Sequence, residues 1–215
     1  MNPIDVVVVG AGPAGLGVAI ALMDAGVKDL AVLERDSVGA SFARWPSETR
    51  FITPSFPSNS VGMLDLNSIA IGTSPAFSMR VEHPTGQEYA KHLKDIARFF
   101  KIPVCEKTNV TSVTREDAAF CIETEHGPIW AKHVVWAVGE FQYPRIFSFV
   151  GAPLCRHTAT IESYQDIEGD DFIIIGGYES GLDAAYHLAC QNRKVRLGGS
   201  GSGPSPSMAR SGASL

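Results

Sequence analysis

The sequence predicts an α/β fold: a domain with a parallel sheet and an antiparallel meander, followed by the start of a second α/β domain. Two observations carry this. The runs at 6–9 (VVVV) and 172–175 (FIII) are short, continuously apolar and rich in β-branched residues, which suits strands covered on both faces in a parallel sheet. Each run passes at once into glycines, then into helix formers, then into a further strand candidate at 30–33 or 194–197. A β-glycine-helix-β order that occurs twice is a repeated supersecondary unit, and such units build parallel sheets with helices on their faces.

Taken in order, the strand at 6–9 leads to a helix from residue 13 to about 25. Leu16, Ala19, Ile20 and Met23 recur there at helical spacing, and Gly26 stands where a C-cap glycine belongs. The strand at 30–33 ends at Glu34. Residues 36–84 are rich in Ser, Pro and Gly without a sustained period, a connection long enough to imply a functional excursion around a ligand. Thr85-Gly86-Gln87-Glu88 reads as a capping box. The helix it starts carries Tyr89, Leu93, Ile96 and Phe100 on one face and is stopped by Pro103. Val104-Cys105 is a short strand candidate. The segments 110–114, 119–124 and 129–131, separated by Glu116-Asp117 and Gly127-Pro128, suggest an antiparallel meander; 133–138 is again a buried-strand run, ending at Gly139. The second unit comprises the strand at 172–175, a helix to about Cys190 and a strand at 194–197. Beyond it the composition collapses to Gly, Ser and Pro, which cannot bury enough surface to offset chain entropy. The expected division is therefore 1–150, 151–197 and a disordered tail at 198–215.

The 215 residues carry a formal net charge of −5 and no Lys/Arg cluster that could neutralise several phosphates together, which argues against a nucleic-acid partner. No apolar run approaches the roughly 20 residues of a membrane span. The N-terminus, with Asp5 ahead of its first apolar run, lacks the basic start of a signal peptide, so a cytoplasmic location is expected. Cys105, Cys121, Cys155 and Cys190 are widely spaced, with no C-x-x-C pair and no zinc cluster; buried free thiols are the expectation. The six histidines show no metal-ligand spacing, so no metal is expected.

The chemistry is concentrated in Gly10-Ala11-Gly12-Pro13-Ala14-Gly15. This G-x-G-x-x-G serves three separate demands: a tight turn, close backbone approach to a pyrophosphate, and helix-strand packing. The helix beyond it offers unpaired amides and a positive dipole end to phosphates. Glu34, 19 residues past Gly15 at the end of the next strand, is placed to bind ribose hydroxyls. Strand before, helix after and acid at this spacing describe a Rossmann-type dinucleotide-binding unit.

The run VVVVGAGPAGL with Glu34 resembles the FAD site of the two-dinucleotide flavoproteins, the superfamily of flavin-containing monooxygenases and pyridine nucleotide-disulfide reductases; Pro13-Ala14 is typical of such sites. The resemblance implies FAD held by Gly10, Gly12, Pro13, Ala14, Gly15, Glu34 and the adjacent Arg35. The segment 134–139 (VVWAVG) looks like the superfamily's short motif, usually written ATG, that returns the chain toward the flavin. It implicates Ala137 and Gly139, with Val138 in place of Thr. Gly39-Ala40-Ser41-Phe42 with Trp45-Pro46 resembles the monooxygenase-like branch, which makes Phe42 and Trp45 candidates either for flavin contact or for ordinary core packing. Gly176-Gly177-Tyr178-Glu179-Ser180-Gly181 aligns with the branch's G-x-G-x-S-G for NADPH or NADH. Gly176, Ser180 and Gly181 keep that frame, whereas Tyr178 stands at the second glycine, where a side chain obstructs a pyrophosphate unless the loop shifts. Arg193, Lys194 and Arg196 are candidates for a 2′-phosphate or for solvated helix-end charges.

The function implied is an FAD-dependent oxidoreductase of monooxygenase-like type. NAD(P)H reduces the flavin, which then passes electrons to oxygen or a small organic acceptor. Phe149-Val150-Gly151 begins a Baeyer-Villiger motif, but Cys155 occupies its histidine position and His157 comes two residues late, which disfavours that class. Two alternatives stay open. Members of the superfamily complete the FAD domain with a segment returning after the NAD(P)H domain, and none is present here, so the chain reads as C-terminally truncated and as a non-catalytic flavin-binding remnant. A thioredoxin-reductase-like enzyme, the other alternative, requires a redox cysteine pair and finds none.

Overall fold

The computed structural model describes residues 3–56, 65–146 and 149–198. The valine run becomes β1 (Ile4–Val9), followed by α1 (Pro13–Asp24) and β2 (Leu30–Leu33). Two single turns, α2 (Ala40–Ala43) and α3 (Pro75–Ser78), precede the long helix α4 (Gly86–Phe99). Then come β3 (Val104–Cys105), β4 (Val110–Glu116), β5 (Ala119–Thr124) and β6 (Gly127–Trp136). These six strands form one sheet in the order β3-β2-β1-β6-β5-β4; β3, β2, β1 and β6 run parallel, and β6, β5 and β4 antiparallel. The α/β class with a parallel sheet and an attached meander is therefore the one observed.

Burial explains why β1 is uninterruptedly apolar. Successive side chains of a strand point to opposite faces. Val6 and Val8 pack with Leu16, Ala19 and Ile20 of α1 and with Tyr89, Leu93 and Ile96 of α4, while Val7 and Val9 pack with Leu33, Ile122 and Ala131. The capping box forms as read: the Glu88 amide donates to Thr85 Oγ1 at 3.2 Å and the Thr85 amide donates to Glu88 Oε2 at 2.8 Å.

The meander departs from the expected segmentation. The segment at 129–131 and the first four residues of that at 133–138 belong to one ten-residue strand, and the turn before it is Glu125-His126 rather than Gly127-Pro128. The strand exchanges partners at Ala131, which faces Phe120 of β5 on one side and Ile4 of β1 on the other. Pro128 is tolerated because β1 has not yet reached that register, so its missing N–H removes no bond on that side.

The long connection after β2 is held to α4 by polar side chains. Asn67 Nδ2 donates to Thr53 O and Ser55 Oγ, both at 2.8 Å, and the Tyr89 hydroxyl donates to Asn67 O at 2.8 Å. Burial pushes the Tyr89 phenol up to about 12. His92, 2% exposed, is pushed down by burial; its Nε2–H donates to Thr73 O at 2.9 Å and its Nδ1 is hydrogen-bonded with Ser78 Oγ at 2.8 Å. Residues 57–64 of this connection lie outside the described residues.

A second unit carries β7 (Asp171–Ile175), α5 (Glu179–Ala189) and β8 (Lys194–Gly198), with β7 and β8 parallel. By contacts the chain divides into Met1–Trp45 with Arg50–Ser148, and Pro46–Thr49 with Phe149–Leu215. In the second unit Glu48 accepts from Ser163 Oγ at 2.5 Å and from the Tyr164 amide at 3.1 Å, and Thr49 Oγ1 donates to Asp183 Oδ2 at 2.6 Å. The tail expected at 198–215 lies, apart from Gly198, outside the described residues.

The cysteines correct the expectation of burial. All four are free thiols, yet only Cys121, in β5, is buried; Cys105, Cys155 and Cys190 are exposed. Cys105 ends a strand at the sheet edge, Cys155 follows a 3-10 turn, and Cys190 caps α5, so each sits where an element ends rather than where it packs. Among the described residues no helix is long and apolar enough to cross a membrane, and no cluster of His, Cys, Asp and Glu could hold a metal ion.

Candidate functional site

The glycine turn lies at the C-terminal end of the parallel strands. Gly10 leaves β1 with φ 105°, a left-handed conformation that side chains resist, and donates its N–H to Leu33 O at 2.8 Å. A Cβ there would stand 2.8 Å from the carbonyl carbon of Ala137 and closer still to its oxygen. The chain after β6 thus closes against this turn, fixed by the Ala137 amide donating to Val9 O at 2.8 Å. Gly15 has the packing role, since a Cβ on it would stand 3.0 Å from the Gly10 carbonyl carbon and closer still to the oxygen.

Gly12 differs from both. It is the N-cap of α1 at φ −83°, ψ −173°, a conformation open to any residue, and a Cβ built on it meets nothing within 4 Å. The position needs glycine neither for its backbone nor for packing. What it leaves is bare space in front of the first turn of α1, where Pro13 lacks an N–H and the amides of Ala14 and Gly15 precede any intrahelical partner. Those amides and the helix dipole make the space fit for an anion.

Glu34 is aimed at the same turn. Its Oε2 accepts from the Ala11 amide at 2.9 Å and its Oε1 from the Asp36 amide at 2.8 Å. An ionised carboxylate has about four lone-pair sites, so each oxygen keeps one for a hydroxyl. The residue is itself held by backbone pairs to Cys105 O at 2.9 Å and from the Thr108 amide at 2.8 Å. Arg35 is exposed beside it. Asp36 pairs with Lys107 and Arg44, and the Lys107 ammonium in particular holds its carboxyl below the usual range. If the turn holds a dinucleotide such as FAD, Glu34→Ala is expected to weaken its binding by one or two charge-assisted hydrogen bonds of roughly 1.5 to 3 kcal/mol each, read by fluorescence titration of FAD; unchanged affinity would free Glu34 of any ribose role.

The structure brings Gly10, Gly12, Pro13, Ala14, Gly15, Glu34 and Ala137 together. Gly139, at φ 79°, is exposed two residues beyond Ala137. Phe42 and Trp45 join Phe51 and Tyr89 in an aromatic cluster, with ring centroids 5.1 Å apart for Phe42–Trp45 and 4.9 Å for Phe42–Tyr89. Sequence reasoning missed Ala11, whose amide orients Glu34, and Glu106, whose Oε1 accepts from the Val38 amide at 2.9 Å. Neither leaves a local signal, because both act across the turn.

In the second unit Gly176 repeats the turn at φ 111°, and a Cβ on Gly181 would stand 3.0 Å from the Gly176 carbonyl carbon. Tyr178 is the N-cap of α5 at φ −94°, ψ −175°, and is 81% exposed; Ser180 is exposed in the first turn. Arg193 donates to Ile167 O and lies 5.4 Å over the Phe172 ring, and Arg196 pairs with Asp171 at 2.9 Å. His157 accepts from the Ala159 amide at 3.1 Å as the cap of a 3-10 turn, a loop role.

Residues 7–211 match the family model described as pyridine nucleotide-disulphide oxidoreductase. An uncharacterized oxidoreductase, CzcO-like, of Geobacillus kaustophilus is 28% identical over 198 residues, covering 90% of this chain and 53% of that protein. Bacillithiol disulfide reductase from Bacillus cereus aligns with TM-score 0.74 at 25% identity, over 97% of this chain and 62% of that one. A flavin-containing monooxygenase from Stenotrophomonas maltophilia aligns with TM-score 0.71 at 19% identity, over 92% and 58%, a likeness of fold. The chain spans about half the length of the curated relatives it matches.

Proposed function

The chain belongs to the pyridine nucleotide-disulphide oxidoreductase family, and from that premise we propose that it binds FAD at the Gly10 turn and serves an FAD-dependent oxidoreductase of monooxygenase-like type. The observation that carries the reading is the bare space at Gly12 beside a carboxylate with free lone pairs. In this reading the amides of Ala14 and Gly15 hold the pyrophosphate, Glu34 holds the adenosine ribose, and the chain at Ala137 and Gly139 closes the turn on the flavin side. Bound flavin would supply the electron transfer, passing electrons to oxygen or a small organic acceptor. The four thiols are unpaired and far apart in sequence, which supports an acceptor other than a protein disulfide; free thiols also suit a cytoplasmic location. The family implies NADPH or NADH as reductant, but the residues of the second turn do not fit its pyrophosphate as the first turn fits one.

Competition dialysis tests the dinucleotide reading. FAD is expected to be retained and FMN, which has neither the pyrophosphate nor the adenosine ribose, to wash out; equal retention of the two would overturn it.

A further inference from the structure

We infer that Tyr178 closes the second glycine turn to a dinucleotide pyrophosphate, and is the residue that sets this unit's affinity for nicotinamide dinucleotides. The two turns are the same structure 166 residues apart: Gly10 and Gly176, Gly12 and Tyr178, Gly15 and Gly181. The first glycines have φ 105° and 111°. The N-cap residues lie at −83°, −173° and at −94°, −175°. In each turn the third glycine abuts the carbonyl of the first. The loop has therefore not shifted to make room for a side chain. At Gly12 the space over the helix N-terminus is bare; at Tyr178 a Cβ and an aromatic ring begin in the corresponding place.

A phosphate oxygen must come to about 2.9 Å from an amide nitrogen to accept its hydrogen bond. A side chain at the N-cap stands on that approach, so the first-turn amides of α5 are screened from a bulky diphosphate. Among the described residues nothing demands the tyrosine. It is 81% exposed and makes no side-chain cap to the helix. Glycine is well tolerated at an N-cap, so the chain can be reopened without unfolding it.

The test is calorimetric titration of NADPH into the full chain, its Tyr178→Gly variant and its Tyr178→Phe variant, without turnover. Flavin content and circular dichroism are measured on the same samples. Tyr178→Gly is expected to bind NADPH at least on the order of tenfold more tightly than the parent, and Tyr178→Phe, which keeps the Cβ and the ring, to bind like the parent. Equal, tight binding to all three would overturn the inference while supporting NADPH as reductant. Absence of binding in all three would overturn both. A gain in Tyr178→Phe as large as in Tyr178→Gly would also overturn it, since the obstruction would then be the hydroxyl. The flavin content decides the Gly10 site separately.

Discussion

Gly12→Val is expected to weaken FAD binding by about two to four orders of magnitude while leaving the fold intact. The N-cap backbone at φ −83°, ψ −173° is extended and accepts a β-branched residue, and a Cβ there meets nothing of the protein within 4 Å. The cap makes no side-chain hydrogen bond that could be lost. The added side chain therefore begins in the space that the pyrophosphate needs. Losing two charge-assisted hydrogen bonds at roughly 1.5 to 3 kcal/mol each lowers affinity by about a hundredfold to ten-thousandfold. Fluorescence titration of FAD gives the affinity and a thermal melt gives the stability. Parental affinity in the variant would place the dinucleotide elsewhere.

Gly15→Val is expected to act in the opposite way, on the fold. Its Cβ would collide with the Gly10 carbonyl, backbone that cannot swing aside like a flexible side chain. Relief requires α1 to lift from β1, and α1 contributes Leu16 at 0%, Ala19 at 0% and Ile20 at 3% exposure to the core. A loss of roughly 3 kcal/mol or more follows, measured by urea denaturation followed by circular dichroism. A change within about 0.5 kcal/mol would mean that the helix and strand do not meet at this residue.

How much of this was legible in the sequence depends on how local each cause is. The glycine turn, the valine strand and the capping box at Thr85 are written in consecutive residues, because each is specified by its own backbone needs. Pro128 misled the segmentation because its tolerance depends on where β1 starts pairing with β6, a long-range register. The polar ties of Asn67 and His92 to their partners cross from the long connection to α4, and a chain without period carries no trace of them. The exposed thiols were unreadable for a similar reason: a lone cysteine is buried or exposed by where its element ends. Phe42 and Trp45 carried two readings in sequence, and their described contacts lie with Phe51 and Tyr89. Tyr178 was visible as a departure. Its consequence needed the backbone of the loop, which matches that of Gly12.

The most direct test of the account is a crystal structure of the chain grown with FAD. The account predicts diphosphate density over Gly12 at the N-terminus of α1, within about 2.7–3.2 Å of the Ala14 and Gly15 amides, and adenosine ribose hydroxyls on Glu34. Diphosphate density anywhere else, or hydroxyls that avoid Glu34, would contradict it.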